Sequence, residues 1–180
     1  MIEKTYNLKN GKSVLIREAM IADAIELNEV ENIIKIETDT ASCHPEIRRT
    51  IEETTKFISD FLEDGKLCYL IVIYENKIVA KGHIDNWLEG GLQYSELVID
   101  VLKDYWGLGI GGKLMQELIC FASKDLEKLY LTVASKNVGA INLYKSFGFV
   151  EESRDVNGWK LPDGTYCDSI DMVKDLRNIE

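Results

Sequence analysis

The sequence predicts an α+β fold with a mixed, mostly antiparallel central sheet flanked by helices. Two stretches with apolar residues at helical spacing come early, and several apolar runs separated by short turns follow them. The centre of the chain has a strand–glycine loop–helix–strand unit, which joins two parallel strands by a crossover helix. We therefore expect one parallel pairing within an otherwise antiparallel sheet. The 180 residues have no repeat or linker, so one domain over residues 1–180 is expected.

The N-terminal part is predicted to hold one strand and two helices. Residues 12–17 form the opening strand. Asp23 can cap a first helix, whose apolar residues are spaced by three and four: Ile25, Leu27, Val30, Ile33, Ile34 and Ile36. A second helix is predicted from Pro45, which suits a first helical turn, to Gly65. Its apolar face would be formed by Ile47, Ile51, Ile58, Phe61 and Leu62.

The remaining elements follow from a change of period. Strands are predicted over residues 67–74, 78–85 and 93–102, joined by turns at 75–77 and at Gly90-Gly91. A glycine-rich loop over residues 106–112 leads into an amphipathic helix, which is followed by a strand at 129–133 and a helix at 138–147. Residues 149–157 and 166–174 are predicted to form a terminal hairpin around Pro162-Asp163-Gly164.

Composition excludes several classes of function. The chain has 21 basic and 31 acidic residues, a net charge of −10, and so no basic footprint for nucleic acid. The longest apolar run, residues 67–74, is too short to cross a bilayer, and the N-terminus has no signal pattern. Four cysteines show no C-x-x-C spacing, and Cys68 and Cys120 are predicted to be core residues. Two histidines offer no paired ligand spacing, so no metal site is expected. We expect a cytoplasmic protein with no nucleic-acid or membrane partner.

The glycine-rich loop has three interpretations besides a simple tight turn. Gly107, Gly109 and Gly112 match a dinucleotide fingerprint, but the next strand ends in Ala134-Ser135-Lys136-Asn137, without the acidic residue that would hold a ribose. The stretch nearly matches a P-loop, but Leu114 replaces the hydroxyl residue that meets magnesium. The third interpretation keeps the physics that both share, because backbone N–H groups at a helix N-terminus bind phosphate and glycine allows its close approach. The sequence favours this general phosphate cradle.

Three motifs together resemble one family. They are Leu97-Val-Ile-Asp-Val101, the loop Tyr105-Trp-Gly-Leu-Gly-Ile-Gly111, and Asn137-Val-Gly-Ala-Ile-Asn-Leu-Tyr-Lys-Ser-Phe-Gly-Phe149. They are similar to the GNAT superfamily of acetyl-CoA-dependent N-acetyltransferases, and the likeness extends from about Leu67 to the C-terminus. One departure is Trp106, which stands where the family has Arg or Gln.

The resemblance implies a set of residues that bind acetyl-CoA. The backbone of Ile99 to Val101 would pair with the pantetheine arm, and an N–H there would polarise the thioester carbonyl. The full set of expected cofactor-binding residues is Ile99, Asp100, Val101, Trp106, Gly107, Leu108, Gly109, Ile110, Gly111, Gly112, Asn137 and Tyr144. Asn137 can instead, or also, cap the helix that follows it.

The resemblance also implies two catalytic residues. Tyr144 would protonate the leaving thiolate, and Glu96 would accept the proton of the amine, with Asp100 and His83 as alternatives for the base. Strand alternation puts Glu96, Val98 and Asp100 on one face, opposite Leu97, Ile99 and Val101. The acceptor site would be shaped by the connection that carries Glu37, Asp39, His44 and Glu46.

The expected reaction is direct acetyl transfer from acetyl-CoA to a primary amine. A small amine, a polyamine and a peptide N-terminus all remain open as acceptors, and a homodimer is the default assembly. Two rival functions are a non-catalytic acyl-CoA-binding regulatory module and a nicotinamide-dependent oxidoreductase. Retention of both Glu96 and Tyr144 favours the transferase over the regulatory module.

Overall fold

A computed structural model describes residues 2–40, 49–64, 68–89 and 92–177. Eight strands and four helices follow one another in the order β1 (Glu3–Asn7), β2 (Ser13–Glu18), α1 (Ala24–Glu37), α2 (Ile51–Asp64), β3 (Cys68–Tyr74), β4 (Lys77–Glu89), β5 (Leu92–Val101), α3 (Ile110–Ala122), β6 (Lys128–Ala134), α4 (Val138–Ser146), β7 (Val150–Lys160) and β8 (Tyr166–Asp175). Short 3₁₀ turns lie at Ile21–Asp23 and Lys103–Tyr105.

All eight strands form one sheet in the order β1-β2-β3-β4-β5-β6-β8-β7. Neighbouring strands are antiparallel except β5 and β6, which are parallel. This topology confirms the α+β class and the single parallel pairing expected from the strand–glycine loop–helix–strand unit. The terminal hairpin of β7 and β8 is also confirmed.

The helices divide between the two faces of the sheet. Helix α3 buries Leu114, Met115 and Leu118 against one face, where Tyr144 of α4 also packs. Helices α1 and α2 cover the opposite face of β3 and β4, and the core there includes Leu27, Ile34, Ile58, Phe61 and Ile71. The sheet therefore has an α3 face and an α1/α2 face, and each strand alternates its side chains between them.

Strand β1 was not predicted from the sequence. Its five residues, Glu-Lys-Thr-Tyr-Asn, have no apolar alternation, and they lie at the edge of the sheet with side chains exposed or half-buried. Pairing with β2, from Glu3↔Arg17 to Asn7↔Ser13, holds the strand in place. An edge strand of this kind leaves no hydrophobic pattern to detect.

The predicted start of the second helix at Pro45 is wrong. Helix α2 begins at Ile51, and Thr50 precedes it as a cap: the Thr50 N–H donates to Glu53 at 2.7 Å and the Glu53 N–H donates to the Thr50 hydroxyl at 3.2 Å. This reciprocal arrangement is a capping box, which satisfies two backbone donors at a helix start. Pro45, Ile47, Gly65 and the Gly90-Gly91 turn lie outside the described residues.

Several predicted core positions are exposed instead. In α1, Ile25, Ile33 and Ile36 are 60%, 47% and 63% exposed, whereas Leu27, Val30 and Ile34 are buried. Ile51 and Leu62 of α2 are likewise exposed. Cys68 is buried as predicted, but Cys120 is exposed because it lies on the solvent side of α3. The buried stripe of α1 is therefore narrower than the spacing of its isoleucines predicted.

Asp23 occupies the cap position before α1, but its carboxylate has other partners. It accepts hydrogen bonds from both terminal nitrogens of Arg17 at 2.7 Å and from the Met20 N–H at 2.7 Å. The residue therefore joins the end of β2 to the 3₁₀ turn before the helix. Within the described ranges, none of the helices is long and apolar enough to cross a membrane.

Candidate active site

Strands β5 and β6 are bridged at a single position and separate beyond it. Glu96 pairs with Tyr130, after which β5 continues along β4 to Ala80↔Val101 and β6 continues along β8 to Ala134↔Ser169. Beyond this bridge, residues 97–101 of β5 and residues 131–134 of β6 do not pair with each other. The result is a wedge-shaped opening in the middle of the sheet, which we call the cleft.

Backbone donors of β5 face this cleft. The Leu102 N–H donates to the Val79 carbonyl of β4 at 3.0 Å. Because successive residues of a strand point their backbone groups to alternate edges, the N–H groups of Ile99 and Val101 face away from β4. An extended ligand in the cleft could therefore pair with β5 as an additional strand would.

Trp106 occupies one hydrogen-bond acceptor on this edge of β5. Its indole N–H donates to the Val101 carbonyl at 2.7 Å, and its side chain is 52% exposed. The Val101 carbonyl is therefore already engaged, and its N–H remains directed at the cleft. Trp106 fastens the start of the glycine-rich loop to the end of β5.

The glycines of the loop have different roles. Gly107 and Gly109 have φ angles of +76° and +92°, which side chains rarely adopt, and a Cβ at either would meet nothing closer than the Lys9 side chain at 4.0 Å from Gly109. Gly111 instead lies against α4, where a Cβ would come within 3.3 Å of Leu143. Gly107 and Gly109 have the positive φ of a tight turn and leave open space beside the backbone, which a phosphate cradle needs. Gly111 instead allows close packing of the loop against α4.

Helix α3 presents its N-terminal backbone donors at the end of this loop. Its first internal hydrogen bond runs from the Lys113 N–H to the Gly109 carbonyl at 3.2 Å. The N–H groups of Ile110, Gly111 and Gly112 consequently have no acceptor within the helix. Open glycines before free N–H groups at a helix start fit the pyrophosphate of a coenzyme A thioester.

Tyr144 is buried on α4, with 8% exposure, and its ring centroid lies 6.0 Å from that of Phe149. Burial, assisted by the carboxylate of Asp100, raises the pKa of the Tyr144 hydroxyl well above its ordinary value. The hydroxyl therefore stays protonated at neutral pH and is available as a proton donor. The helix is oriented by Asn137, whose side-chain oxygen accepts a hydrogen bond from the Ala140 N–H at 3.2 Å, so the capping role of Asn137 is confirmed.

Glu96 lies at the point where β5 and β6 begin to separate, and its side chain is on the α1/α2 face. It is half-buried, and burial together with the carboxylates of Asp85 and Asp171 raises its pKa. Asp85 is its direct cross-strand neighbour on β4. A carboxylate whose pKa is moved toward neutrality is a better proton acceptor at neutral pH than an ordinary one.

Asp100, one alternative for the base, belongs to a buried ion network. The ammonium of Lys81 lies 3.1 Å from Glu31 Oε1 and 3.2 Å from Asp100 Oδ2. The hydroxyl of Tyr69 donates to Glu31 at 3.1 Å, and Arg49 approaches Glu31 at 3.8 Å. Burial alone would raise the pKa of Glu31, but the surrounding cations, led by Lys81, lower it. The carboxylate of Asp100 is thus engaged in an ion pair with Lys81.

His83, the other alternative, is enclosed by aromatic rings. Its ring centroid lies 5.4 Å from those of Phe57 and Tyr69 and 5.7 Å from that of Phe61. Burial lowers the pKa of His83, while Asp85 lies 3.4 Å from its Nε2 atom. Its Nδ1 atom has no hydrogen-bond partner among the described residues. These contacts favour a neutral histidine with a packing role.

The predicted acceptor loop is only partly described. Glu37 accepts a hydrogen bond from the Lys103 N–H at 2.5 Å, which ties the end of α1 to the turn after β5. Asp39 lies in the turn that follows α1, whereas His44 and Glu46 lie outside the described residues. In the ranges that can be described, three or more His, Cys, Asp or Glu residues nowhere gather in a group that could hold a metal ion.

Four residues near the site were not predicted from the sequence: Glu31, Lys81, Asp85 and Asp171. A signal was present in β4, where Lys81, His83 and Asp85 alternate with the apolar or small residues Ala80, Gly82 and Ile84. Alternation of this kind marks one polar face on an otherwise buried strand.

Comparison with known proteins places this arrangement in a family. Residues 31–149 match the model of the Acetyltransferase (GNAT) family. A probable N-acetyltransferase, san, from Drosophila melanogaster is 33% identical over 137 residues, covering 72% of this chain and 70% of that protein. An N-alpha-acetyltransferase from Sulfurisphaera tokodaii is 31% identical over 159 residues, covering 79% of this chain and 84% of that protein.

Solved structures agree. An acetyltransferase of the GNAT family from Streptococcus pneumoniae superposes with a TM-score of 0.84 and 32% identity, covering 89% of this chain and 98% of that chain. Several solved structures that share the fold contain acetyl-CoA or coenzyme A. The cleft, the glycine-rich loop and the matched sequence lead to one conclusion: this chain belongs to the Acetyltransferase (GNAT) family and is an acetyl-CoA-dependent N-acetyltransferase.

Proposed function

We propose that the enzyme transfers the acetyl group directly to a primary amine, and that its preferred acceptor is the N-terminal amine of a peptide. The observation that carries the proposal is the position of Glu96, a half-buried carboxylate of raised pKa where β5 and β6 separate. One matched relative is itself described as an N-alpha-acetyltransferase, which supports the same acceptor.

Acetyl-CoA supplies an activated thioester, and the chain's own residues position it. The N–H groups of Ile110, Gly111 and Gly112 hold the pyrophosphate, beside the open backbone of Gly107 and Gly109. Ile99 offers both its N–H and its carbonyl to the pantetheine arm. Val101 offers its N–H alone, because Trp106 occupies its carbonyl at 2.7 Å. A donor fixed in this way can stabilise the negative charge that develops on the thioester oxygen.

Glu96 and Tyr144 handle the two protons of the reaction. The amine nitrogen forms a bond to the acetyl carbon while the carbon–sulfur bond breaks. Glu96 accepts the proton that the amine loses, and Tyr144 donates its hydroxyl proton to the departing thiolate. The raised pKa of Glu96 makes it a stronger base. The raised pKa of Tyr144 keeps its hydroxyl protonated at neutral pH, although the same shift makes that hydroxyl a weaker acid.

The choice of a peptide N-terminus follows from the weakness of a carboxylate base. The ammonium of a peptide N-terminus has a pKa of about 7.7–8.0, whereas that of a lysine side chain has a pKa of about 10.4. Removing a proton from the alkylamine therefore costs about 3.5 kcal/mol more. Glu96 can deprotonate an α-amine at neutral pH with much less help than an alkylamine would need.

A competition among matched acceptors tests the proposal. Release of coenzyme A thiol would be measured with a peptide that has a free N-terminus and one lysine, with the same peptide already acetylated at its N-terminus, and with a polyamine. Mass spectrometry would locate the acetyl group. We expect acetylation of the free N-terminus, and no comparable turnover with the blocked peptide or the polyamine.

Two outcomes would contradict the proposal. Faster turnover with the blocked peptide or the polyamine would assign the enzyme to alkylamine acceptors, which the carboxylates of Asp85, Glu96 and Asp171 would also suit. Tight acetyl-CoA binding without turnover on any amine would indicate a regulatory module.

A further inference from the structure

We propose that the N-terminal hairpin of β1 and β2 takes part in binding acetyl-CoA, and that Lys9 of this hairpin and Lys113 of α3 recognise the 3′-phosphate of its adenosine end. The proposal concerns the end of acetyl-CoA that lies far from the reacting thioester. It rests on the use of acetyl-CoA but not on the identity of the acceptor.

A pocket of about 280 Å³ lies between the hairpin, the first two turns of α3 and the end of α4. Its lining residues come from all three elements and are Asn7, Leu8, Lys9, Leu108, Gly109, Gly112, Lys113, Gln116 and Phe147. This volume is close to the lower limit of about 300 Å³ for small-molecule pockets. The pocket could therefore hold one end of a long ligand but not the entire molecule.

The pocket is continuous with the phosphate cradle. Gly109 and Gly112 line it, and both belong to the glycine-rich loop or the first turn of α3. In coenzyme A the pyrophosphate is bonded to the adenosine that carries the 3′-phosphate. A pyrophosphate at the α3 N-terminus therefore places the adenosine end within reach of the neighbouring pocket.

The charge of the lining fits a phosphate group. Two lysines line the pocket, with no carboxylate among the described residues around it, on a chain whose net charge is −10. The nearby acid of α3, Glu117, is buried and engaged by Lys4 at 2.9 Å and by the Tyr6 hydroxyl. Tyr6 in turn carries the ammonium of Lys113 over its ring, 5.1 Å from the centroid. Side chains of β1 thus engage the carboxylate of Glu117, and Tyr6 of the same strand contacts the ammonium of Lys113.

The rest of the lining fits an adenosine. Leu8, Leu108 and Phe147 provide apolar surface for a purine, and the amides of Asn7 and Gln116 provide donors and acceptors. The hairpin that carries Lys9 is itself fixed, because the Leu8 N–H donates to the Lys12 carbonyl at 2.7 Å and the Gly11 N–H donates to the Leu8 carbonyl at 3.1 Å. Lys9 is therefore presented from an ordered turn.

The test compares coenzyme A with dephospho-coenzyme A, which lacks only the 3′-phosphate. Dissociation constants of both would be measured by calorimetry for the full chain and for two pocket variants, Lys9→Met and Lys113→Met. The control is Lys124→Met, which lies just beyond the C-terminal end of α3. We expect the wild type to bind coenzyme A roughly tenfold more tightly than the dephospho form. Lys9→Met and Lys113→Met should each weaken binding of coenzyme A by roughly three- to tenfold, with little change for the dephospho form.

Steady-state kinetics adds a second measurement. Both pocket variants should raise the KM for acetyl-CoA and leave kcat unchanged, because the 3′-phosphate contact is the same in the ground and transition states. Lys124→Met should match the wild type in every measurement.

A wild type that does not distinguish the two ligands would overturn the proposal. Lys9→Met and Lys113→Met variants that lose affinity equally for coenzyme A and for dephospho-coenzyme A would also overturn it. If the melting temperature without ligand shows that these variants are unfolded, Lys9→Ala and Lys113→Gln would replace them. Folded replacements that keep the wild-type preference for coenzyme A would likewise overturn the proposal. None of these binding experiments contains an acceptor amine, so their failure would leave the proposed acceptor untouched.

Discussion

Replacing Lys81 with Met should destabilise the fold more than any comparable change at the surface. The Lys81 ammonium is the shared partner of Glu31 and Asp100, at 3.1 and 3.2 Å, and the side chains of these two acids are only 3% and 13% exposed. Met fills a similar volume, so the variant removes the charge with little change in packing. Two buried carboxylates would then lack their common cation.

The expected cost follows from this burial. Removing one partner of a buried ion pair costs about 3–5 kcal/mol, because the remaining buried charge has lost its closest counter-ion. Arg49 stays 3.8 Å from Glu31 and offsets part of the loss, so the lower end, about 3 kcal/mol, is expected. The matched control is Lys56→Met, which breaks an exposed ion pair of 2.7 Å with Asp60 and should cost less than about 0.5 kcal/mol.

Urea unfolding at pH 7 would measure both variants, and repeating it at lower pH adds an independent check. The pKa of Glu31 is lowered in the folded state, so its contribution to stability is present above its unfolded pKa and is lost as pH falls through its folded pKa. The difference between wild type and Lys81→Met should therefore narrow in acid. A Lys81→Met variant as stable as Lys56→Met at pH 7 would refute the buried ion network.

Three further substitutions test the phosphate cradle, the proton donor and the packing of α3 against β4. Gly109→Val should weaken acetyl-CoA binding strongly, because φ at this position is +92° and a branched side chain would obstruct the phosphate; an unchanged dissociation constant in a folded variant would contradict the cradle. Tyr144→Phe should lower kcat by roughly 10²-fold, the smaller end of the 10²–10⁴-fold range for a lost general acid, without changing acetyl-CoA affinity. A normal kcat would show that Tyr144 is not the proton donor. Gly82→Ala should cost about 1–3 kcal/mol in urea unfolding, since its Cβ would lie 2.8 Å from Leu118 and 3.1 Å from the Val98 carbonyl; an unaltered midpoint would show that α3 shifts freely.

The sequence was most informative where a local rule decides the structure. Glycines before an amphipathic helix predicted the α3 N-terminus, and an apolar run predicted β3. The strand–glycine loop–helix–strand unit predicted the parallel pairing of β5 with β6. Alternation along β5 also predicted that Glu96 and Asp100 share a face: Asp100 contacts Lys81 on the α1/α2 face, whereas Leu97 packs on the α3 face. These features depend on residues that are neighbours along the chain.

Features that depend on distant residues were not predictable in the same way. The partner of Lys81 is Glu31, fifty positions away on α1, and neither residue has a motif. The bond from Trp106 to the Val101 carbonyl depends on how the chain turns after β5, so the sequence suggested only that a family donor was missing. Strand β1 is polar, and it is held by pairing with β2 and by the contact of Lys4 with Glu117 of α3, neither of which leaves a pattern in its own sequence.

The role of Glu96 as the base is tested by the pH dependence of kcat/KM for Glu96→Gln, with a peptide N-terminus as acceptor. The raised pKa of Glu96 places the acidic limb of the wild-type profile above the ordinary range of a carboxylate. Glu96→Gln should lose this limb, keep only the pH dependence of the amine itself, and approach the wild-type rate at high pH, where the amine arrives neutral. Asp85→Asn, which retains the base but removes a neighbouring charge, should move the limb to lower pH. A Glu96→Gln variant with the wild-type rate and the wild-type limb would contradict the assignment of Glu96 as the base.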